Sequence, residues 1–353
     1  MKKIIYLSMV SAFLGILVNC GFAQTPKAKE IVFYNWKDYT DKSVLKEFEK
    51  KFGIKVILKE YETRDMMLSE IQSAPEKFDV IVASDSVSVS ILKQCRLLME
   101  LDLSKIPNHN FIRERFKNRS YDPENKYSIT GVCWGTSGIA INTNFVPADT
   151  NSWAVLWNKK YKGKIALMDE YREAMTAVLK YSHFSLNSVD PKEIKIAEEN
   201  AKLLRDNHVQ FGDTFGNLEK VKSGELWIAQ TYNGDVIYKA KDRKDIKYIL
   251  PKEGFDIFAD NFVISVDSRN REEAHQLINF LLEPRNAAQY ATAFSYATTI
   301  DADAFIDKEV LSNPVIYPPQ YLLQKGEIFS DLGEAESEYI RIFNLLKQRE
   351  TQQ

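Results

Sequence analysis

Apolar residues recur along this chain with two alternating periods, one typical of strands and the other typical of helices. The segment 41–52 places Val44 and Phe48 on one helical face, and Gly53 closes the pattern. The segment 78–83 is a continuous apolar run, as in strands of a parallel sheet that is covered on both faces. In order, the first predicted elements are a strand at 30–35, a helix at 41–52, a strand at 54–58, a helix at 66–73 and a strand at 78–83. This βαβαβ beginning indicates an α/β fold.

Helical patterns also follow later in the chain. Asp190 precedes Pro191 as an N-cap precedes a first helical residue, which predicts a helix there. Amphipathic helices are predicted at 270–282 and at 336–346. Pro284 is expected to end the first of them. No internal repeat, low-complexity segment or long linker divides the sequence, so two lobes would have to be joined by crossing strands.

The length and charge of the chain narrow the class of protein. At 353 residues it is too long for one typical domain core, which indicates two lobes. Its 47 Lys and Arg residues nearly balance 49 Asp and Glu residues, so the net charge of −2 provides no general attraction to nucleic acid. We therefore expect no nucleic-acid partner, and any recognition by charge must be local.

The first residues have the pattern of an export signal. A basic start at 2–3 is followed by the apolar run 4–18, which is too short for a comfortable membrane span. Cys20 then ends a segment, LVNC, that resembles the lipobox of bacterial lipoproteins, in which the lipid-modified cysteine becomes the mature N-terminus. Asn19 departs from the small residue usual at its position, so cleavage after Ala23 is the alternative. The predicted segments are a signal peptide of the lipoprotein type at 1–19 and a linker at 20–29.

The placement of cysteines and histidines offers no catalytic or metal-binding motif. An exported protein could join Cys95 to Cys133 in a disulfide, but two cysteines at a non-motif spacing are more often packed thiols. The 4 histidines stand far apart, without paired metal-ligand spacing. The segment GTSG at 135–138 is not a GxSxG motif, and neither a P-loop nor a GxGxxG motif is present. We predict no metal and no cofactor, and an enzyme is left without a visible site.

Four groups of carboxylates stand next to aromatic residues at the ends of apparent strands. Each group has a simpler explanation on its own, because acids are common in turns, on solvated surfaces and at helix N-termini. Four groups in one chain favour a ligand site, because the loops that follow strands form the ligand crevice of open α/β sheets. The groups are Asp38 between Trp36 and Tyr39, Asp235 after Tyr232, Asp260 after Phe258, and Glu170 with Glu173 around Tyr171 and Arg172.

These residue types select a class of ligand. Aromatic faces attract organic cations and shield methylene groups, while carboxylates compensate ammonium charge that is costly to desolvate. Acids at several points of one cleft indicate that the ligand carries more than one positive charge. A linear diamine or polyamine fits this pattern, and an anion does not.

Several segments of the chain resemble one family. They are FYNWKDY at 33–39, SWAVLWNKKYKGKI at 152–165, YNGD at 232–235, LPKEG at 250–254, INFLLEPRNA at 278–287 and NPVIYPP at 313–319. In unbroken order from about 30 to 348, they resemble the periplasmic spermidine/putrescine-binding proteins of ABC importers. The resemblance implies a type II periplasmic-binding-protein fold, in which two α/β lobes joined by crossing hinge segments close on a ligand. The implied divisions are crossings near 134–138 and 254–259 with a return near Ala302, a first lobe at 30–134 plus 259–302, and a second lobe at 138–254 plus 303–350.

The resemblance also implies a function and a set of ligand-binding residues. The chain would bind a polyamine between its lobes and deliver it to the permease subunits of an ABC importer, acting as a monomer in the periplasm, anchored through Cys20. Aromatic residues would pack against the methylenes, and carboxylates would hold the ammonium groups. The implied ligand-binding residues are Trp36, Asp38, Tyr39, Ser84, Glu170, Glu173, Tyr232, Asp235, Phe258, Asp260 and Tyr296.

Departures from the family pattern bear on which polyamine is bound. Ser86 stands where the spermidine receptors have Tyr, and Phe329 stands where they have a Gln that reaches the longer ligand. Asp235 follows the pattern of the putrescine receptors. These residues favour putrescine slightly over spermidine.

Other functions are compatible with the same residues. The fold could serve as the receptor for another organic cation, such as a thiamine-like compound, which would need fewer separated acids. It could instead belong to a polyamine-sensing surface lipoprotein, and adjacent permease and ATPase genes would argue against that. A hydrolase is the least favoured alternative, because the motifs expected for one are missing.

Overall fold

The computed structural model describes residues 29–84 and 86–348. The predicted signal peptide, Cys20 and most of the predicted linker lie outside the described residues. In this part of the chain, no helix combines the length and the apolar character that crossing a bilayer requires.

Helices and strands alternate through most of the described chain. The strands are β1 (Glu30–Trp36), β2 (Lys55–Tyr61), β3 (Val80–Ala83), β4 (Ser128–Asn142), β5 (Ile165–Met168), β6 (Gln210–Gly212), β7 (Ile228–Tyr232), β8 (Ile246–Ile249), β9 (Phe255–Ile264), β10 (Ala297–Thr298) and β11 (Gly326–Glu327). The α-helices are α1 (Lys42–Phe52), α2 (Arg64–Ser73), α3 (Ser86–Gln94), α4 (Tyr171–Tyr181), α5 (Pro191–Arg205), α6 (Thr214–Ser223), α7 (Asn233–Ala240), α8 (Arg271–Leu281), α9 (Pro284–Ala293), α10 (Lys308–Leu311), α11 (Gln320–Leu323) and α12 (Glu336–Lys347).

The strands form a mixed sheet in which two parallel groups are joined by two long strands. Its order is β2-β1-β3-β9-β4-β7-β5-β6, with β8 and β10 also paired to β4 and β11 paired to β9. β1 is parallel to β2 and β3, and β5 is parallel to β6 and β7. Between these groups, β9 and β4 are antiparallel to each other and to their outer neighbours. The two halves of the molecule are therefore connected through β4 and β9.

The predicted crossings at 134–138 and 254–259 fall on these two long strands. Trp134 pairs with Ala259, and Gly135 pairs with Phe258. Gly135 has no room for a side chain, because a Cβ there would lie 2.6 Å from the Phe258 ring. The boundaries of the two lobes and the return near Ala302 stay predictions.

Separate apolar cores cover the two halves of the sheet. Phe33 of β1, Phe48 of α1 and Leu277 of α8 belong to one core. Leu179 of α4 and Tyr339 of α12 belong to another, which packs against β5. Each half therefore buries its own hydrophobic surface, as a lobe with its own core requires.

The first helix confirms the expectation drawn from its sequence. Asp41 is the N-cap of α1, where its side chain accepts a hydrogen bond from the backbone N–H of Ser43. Val44 and Phe48 are buried on its inner face. Gly53 ends the helix in the left-handed conformation with φ of 67°, which a residue without Cβ adopts at little cost.

The helix predicted at 270–282 ends before Pro284, as expected. The helix α8 ends at Leu281, and Pro284 is also the first residue of a further helix, α9. Proline is tolerated at this position because the first helical N–H needs no partner within the helix. The sequence pattern identified a break but not the helix that starts at it.

The two cysteines of the described chain are not joined in a disulfide. Cys95 is exposed and Cys133 is buried, and both are free thiols. Burial raises the pKa of the Cys133 thiol well above its usual range. Cys133 is therefore held as a neutral, packed thiol.

Candidate ligand-binding site

Four aromatic rings form a continuous line along the junction between the two halves of the sheet. The ring centroids of Tyr232 and Phe258 are 5.0 Å apart, and those of Phe258 and Tyr296 are 5.4 Å apart. Tyr39 continues the line at 5.8 Å from Tyr296. These edge-to-face arrangements are favourable for aromatic pairs. We call the four residues Tyr39, Tyr232, Phe258 and Tyr296 the ring line.

Strand ends and the two long strands place these rings. Tyr232 ends β7, Phe258 lies within β9, Tyr296 directly precedes β10, and Tyr39 follows β1. β10 pairs with β4, which also pairs with β7 and β9. The rings of Tyr232, Phe258 and Tyr296 therefore meet because their strands share β4, and Tyr39 joins them from the segment after β1, which pairs with β2 and β3.

Glu173 lies at the Tyr232 end of the ring line. It occupies the first turn of α4 and is only 3% exposed. The Tyr232 hydroxyl donates a hydrogen bond of 3.0 Å to Glu173 Oε1. Burial, followed by the negative charge of Glu173, raises the pKa of Tyr232 well above its usual value. Tyr232 is therefore a neutral donor that orients the carboxylate.

Asp235 lies beside Tyr296 in the first turn of α7. The Tyr296 hydroxyl donates a hydrogen bond of 2.8 Å to Asp235 Oδ1. Burial raises the pKa of Asp235 to about 6, and hydrogen bonds from Thr214 and Tyr296 limit that rise. The environment thus opposes ionisation, and a cation placed nearby would reverse that effect.

Asp260 lies at the Tyr39 end of the ring line. It belongs to β9 and is 7% exposed. Burial raises the pKa of Tyr39 well above its usual value, and the charge of Asp260 adds to that rise. Asp260 also contributes to the raised pKa of Tyr296, after burial and Asp235. The carboxyl of Asp260 is therefore within electrostatic reach of two rings of the line.

The structure places Asp38 and Trp36 differently from the rest of the predicted site. Asp38 is exposed, lies in a left-handed turn with φ of 56°, and donates its backbone N–H to Glu60 Oε1. Trp36 packs on Tyr61, with ring centroids 4.4 Å apart. Of the aromatic segment FYNWKDY, Tyr39 is the residue that joins the ring line.

Ser84 and Glu170 have local partners outside the ring line. Ser84 Oγ lies 3.3 Å from Ser88 Oγ. Glu170 is the N-cap of α4 and accepts a bond of 3.0 Å from Arg64 Nη2. Since Arg64 begins α2, this ion pair connects helices from the two halves of the molecule.

The positions that depart from the family pattern are filled by protein contacts. Ser86 Oγ donates a hydrogen bond of 2.6 Å to the backbone carbonyl of Phe329. The Phe329 ring lies 4.5 Å from the Arg172 guanidinium, which is buried. Phe329 therefore packs into the protein and presents no polar group there.

Sequence reasoning missed residues around both ends of the ring line. Tyr290 and Phe294 pack on Tyr39, with ring centroids 6.2 Å and 5.0 Å away. Tyr290 lies on α9 and Phe294 directly follows that helix, and their spacing of four positions is equally typical of core packing. Asp256 is completely buried in β9, where the segment DIFAD places it on the same face as Phe258 and Asp260.

The Gly234→Ala variant is expected to disturb the ring line. A Cβ at this position would lie 2.5 Å from the Tyr296 ring, so the ring would have to move. Overpacking of this kind costs on the order of 1 to 3 kcal/mol of unfolding free energy. Chemical denaturation of both proteins would measure the loss.

A matched background tests the cause of that loss. In Tyr296→Leu protein the added methyl no longer meets a ring, so Gly234→Ala should cost much less there. An equal loss in both backgrounds would contradict the steric explanation.

The fold and this enclosed site, with acids and rings held on two connected α/β halves, define a solute-binding protein. The family model described as bacterial extracellular solute-binding protein matches residues 43–314 of this chain. The chain belongs to that family of bacterial extracellular solute-binding proteins. It is a family of transport receptors and not of enzymes.

Individual relatives show more specifically which proteins this chain is similar to. The chain is 32% identical over 336 residues to the spermidine/putrescine-binding periplasmic protein of Escherichia coli, covering 94% of this chain and 96% of the relative. A solved structure of the spermidine/putrescine ABC transporter substrate-binding protein PotD from Streptococcus pneumoniae has a TM-score of 0.81 at 28% identity, covering 90% of this chain and 98% of that one. The structure of the TpPotD lipoprotein of Treponema pallidum has a TM-score of 0.81 at 29% identity, covering 90% and 99%. The predicted two-lobed α/β fold is confirmed by these structures.

Proposed function

We propose that this protein binds polyamines in the cleft between its two halves, with a slight preference for putrescine over spermidine. The ligand would lie along the ring line, with its methylene groups against the aromatic faces. Its ammonium groups would pair with Asp260 and Asp235 near one end and with Glu173 near the other. Trp36, Asp38, Ser84 and Glu170 would contribute from the rim of the cleft.

The observation that carries this proposal is the line of four rings with buried carboxylates at both ends. Aromatic faces attract organic cations, and a buried carboxylate is costly unless a cation compensates it. A linear chain with a positive charge at each end satisfies both conditions. An anionic ligand would meet like charges at each end and would be repelled.

The contacts of Phe329 support the slight preference for the shorter ligand. Phe329 is 6% exposed and covers the Arg172 guanidinium. A buried cation at this place disfavours a further ammonium group nearby. Ser86 also donates its hydroxyl to the Phe329 carbonyl, which occupies an acceptor that an ammonium group could otherwise use.

We further propose that the protein delivers its ligand to the permease subunits of an ABC importer. The similar protein from Streptococcus pneumoniae is described as an ABC transporter substrate-binding protein. The similar protein from Treponema pallidum is described as a lipoprotein, which supports an anchor at Cys20. On this proposal the receptor works as a monomer in the periplasm, attached to a membrane through its lipid.

Calorimetric titration of the purified protein with putrescine, spermidine and spermine tests the proposal. We expect saturable binding of putrescine and of spermidine, with the lower dissociation constant for putrescine. Thiamine should not compete, because a single heteroaromatic cation leaves carboxylates uncompensated. Absence of saturable binding of every polyamine would refute the function, and tighter binding of spermidine would refute the preference.

A further inference from the structure

One face of β9 carries an acid, a ring and a second acid in alternate positions. Asp256, Phe258 and Asp260 project to the same side, because side chains of a strand alternate between its faces. Phe258 touches both Tyr232 and Tyr296 and lies between them in the ring line. Asp256 therefore extends this face on the side of Phe258 away from Asp260.

Electrostatic influence places Asp256 at the Tyr232 end of the site. Its charge contributes to the raised pKa of Tyr232, after burial and Glu173. It contributes likewise to the raised pKa of Tyr248, after burial. Asp260 acts instead on Tyr39 and Tyr296, at the other end. The two acids of β9 thus serve opposite ends of the ring line.

Ser137 provides a second polar group on the same face. Ser137 lies in β4, directly opposite Tyr232 of β7. Directly opposed residues of antiparallel strands project to the same side of the sheet. The Ser137 side chain is 0% exposed, and its hydroxyl has no hydrogen-bond partner among the residues that the structure describes. Buried hydroxyls normally have a hydrogen-bond partner, so the Ser137 oxygen is available to accept a hydrogen bond from a ligand.

An ammonium group matches these two acceptors. It carries three N–H donors and no acceptor, so it can donate to a carboxylate and to a hydroxyl oxygen together. Along β9, Asp256 and Asp260 are separated by about 13 Å at the rise of an extended strand. Putrescine is shorter than this separation, whereas extended spermidine approaches it.

We propose that Asp256 and Ser137 form a further ammonium-binding subsite, which takes the additional charged end of a triamine. This inference rests on the proposed polyamine-binding function. It explains how the site accepts spermidine although Phe329 offers that ligand no polar contact. Putrescine has only two ammonium groups, both paired by the acids already described, so it has no further charged group for the subsite.

The test compares the affinities of putrescine and spermidine in wild-type protein and in Asp256→Asn protein. Loss of a carboxylate that faces a desolvated ammonium should raise the dissociation constant for spermidine by about tenfold or more. The dissociation constant for putrescine should change much less. Asp149→Asn, an exposed acid on the turn after β4, is the matched control and should change neither.

Variants of Ser137 test the same subsite even if the Asp256→Asn protein does not fold. Ser137→Ala should weaken spermidine binding by about threefold relative to putrescine, the effect of one lost hydrogen bond. Ser137→Thr, which keeps the hydroxyl, should restore the wild-type ratio of affinities. Thermal unfolding of each variant checks that it is folded.

The outcomes separate this inference from the proposed function. Wild-type protein that binds neither polyamine would refute the function itself. Wild-type binding with an unchanged ratio of affinities in Ser137→Ala protein, or with equal losses for both ligands in folded Asp256→Asn protein, would overturn the subsite alone.

Discussion

Replacing Asp260 with asparagine is expected to weaken putrescine binding by on the order of 2 to 5 kcal/mol, a loss that calorimetric titration would measure. Asp260 is 7% exposed and acts electrostatically on both Tyr39 and Tyr296. An amide has nearly the same shape as the carboxyl but carries no charge. The ammonium group of the ligand would then be desolvated without a partner, and that cost accounts for the loss.

Two comparisons separate this effect from a loss of folding. Thermal unfolding of the unliganded Asp260→Asn protein shows whether the variant is folded at the temperature of the titration. Asp149→Asn, the exposed control, should keep the wild-type affinity. Unchanged putrescine affinity in Asp260→Asn protein would show that Asp260 does not hold an ammonium group.

Lowering the pH from 7 to 5 is expected to weaken putrescine binding by about tenfold through Asp235 alone. Burial raises the pKa of this carboxyl to about 6, with Asp213 adding to the rise and Lys239 opposing it. At pH 5 most molecules of the free protein would carry a neutral Asp235, which must lose its proton to pair with an ammonium. Binding near pH 6 should therefore release protons, which titrations in buffers of different ionisation enthalpy would detect.

The stability of the unliganded protein should respond to pH in the opposite direction. An acid whose pKa is raised by folding binds more protons in the folded than in the unfolded state, so stability falls as the pH rises from about 4 to about 6. For Asp235 this cost of ionisation is on the order of 3 kcal/mol at pH 7. Chemical denaturation at several pH values would measure it.

The Asp235→Asn variant is the control for both pH effects. It should be more stable than wild type at pH 7, since it has no buried carboxyl to ionise. Its putrescine affinity should be lower at pH 7 but depend less on pH between 7 and 5. If the pH profiles of the variant and the wild type coincide, another group is responsible.

Local features of the sequence were good guides to separate elements and poorer guides to their boundaries. Gly53 ends the first helix as expected, because a left-handed C-cap depends on neighbouring residues only, whereas Asp41 is the N-cap and not the first helical residue. Pro284 shows the limit of that reasoning. A proline is compatible with the end of one helix and with the start of the next, and the packing of α9 on the sheet made it a start.

Candidate site residues were predicted from the residues next to them in the sequence. The fold buries some of them beside the ring line and leaves another exposed. Asp235 and Asp260 are buried beside the ring line, whereas Asp38 is exposed in a turn. Asp256 was not predicted, although it directly follows Phe255 and DIFAD carries it at the alternate spacing that puts it on one face with Asp260. Adjacency to an aromatic residue therefore does not distinguish the two acids, and alternation along the strand is what places them together.

The sequence by itself determined the α/β class and the choice of acids and aromatic residues, because periodicity and composition are properties of neighbouring positions. Only the tertiary structure decided which of those residues meet. Tyr232, Phe258 and Tyr296 come from separate segments and meet because β7, β9 and β10 all pair with β4, and Tyr39 joins them from the segment after β1, which pairs with β2 and β3. Such long-range pairing, and the burial that raises the pKa of Asp235, depends on the register of strands, which no short stretch of sequence specifies.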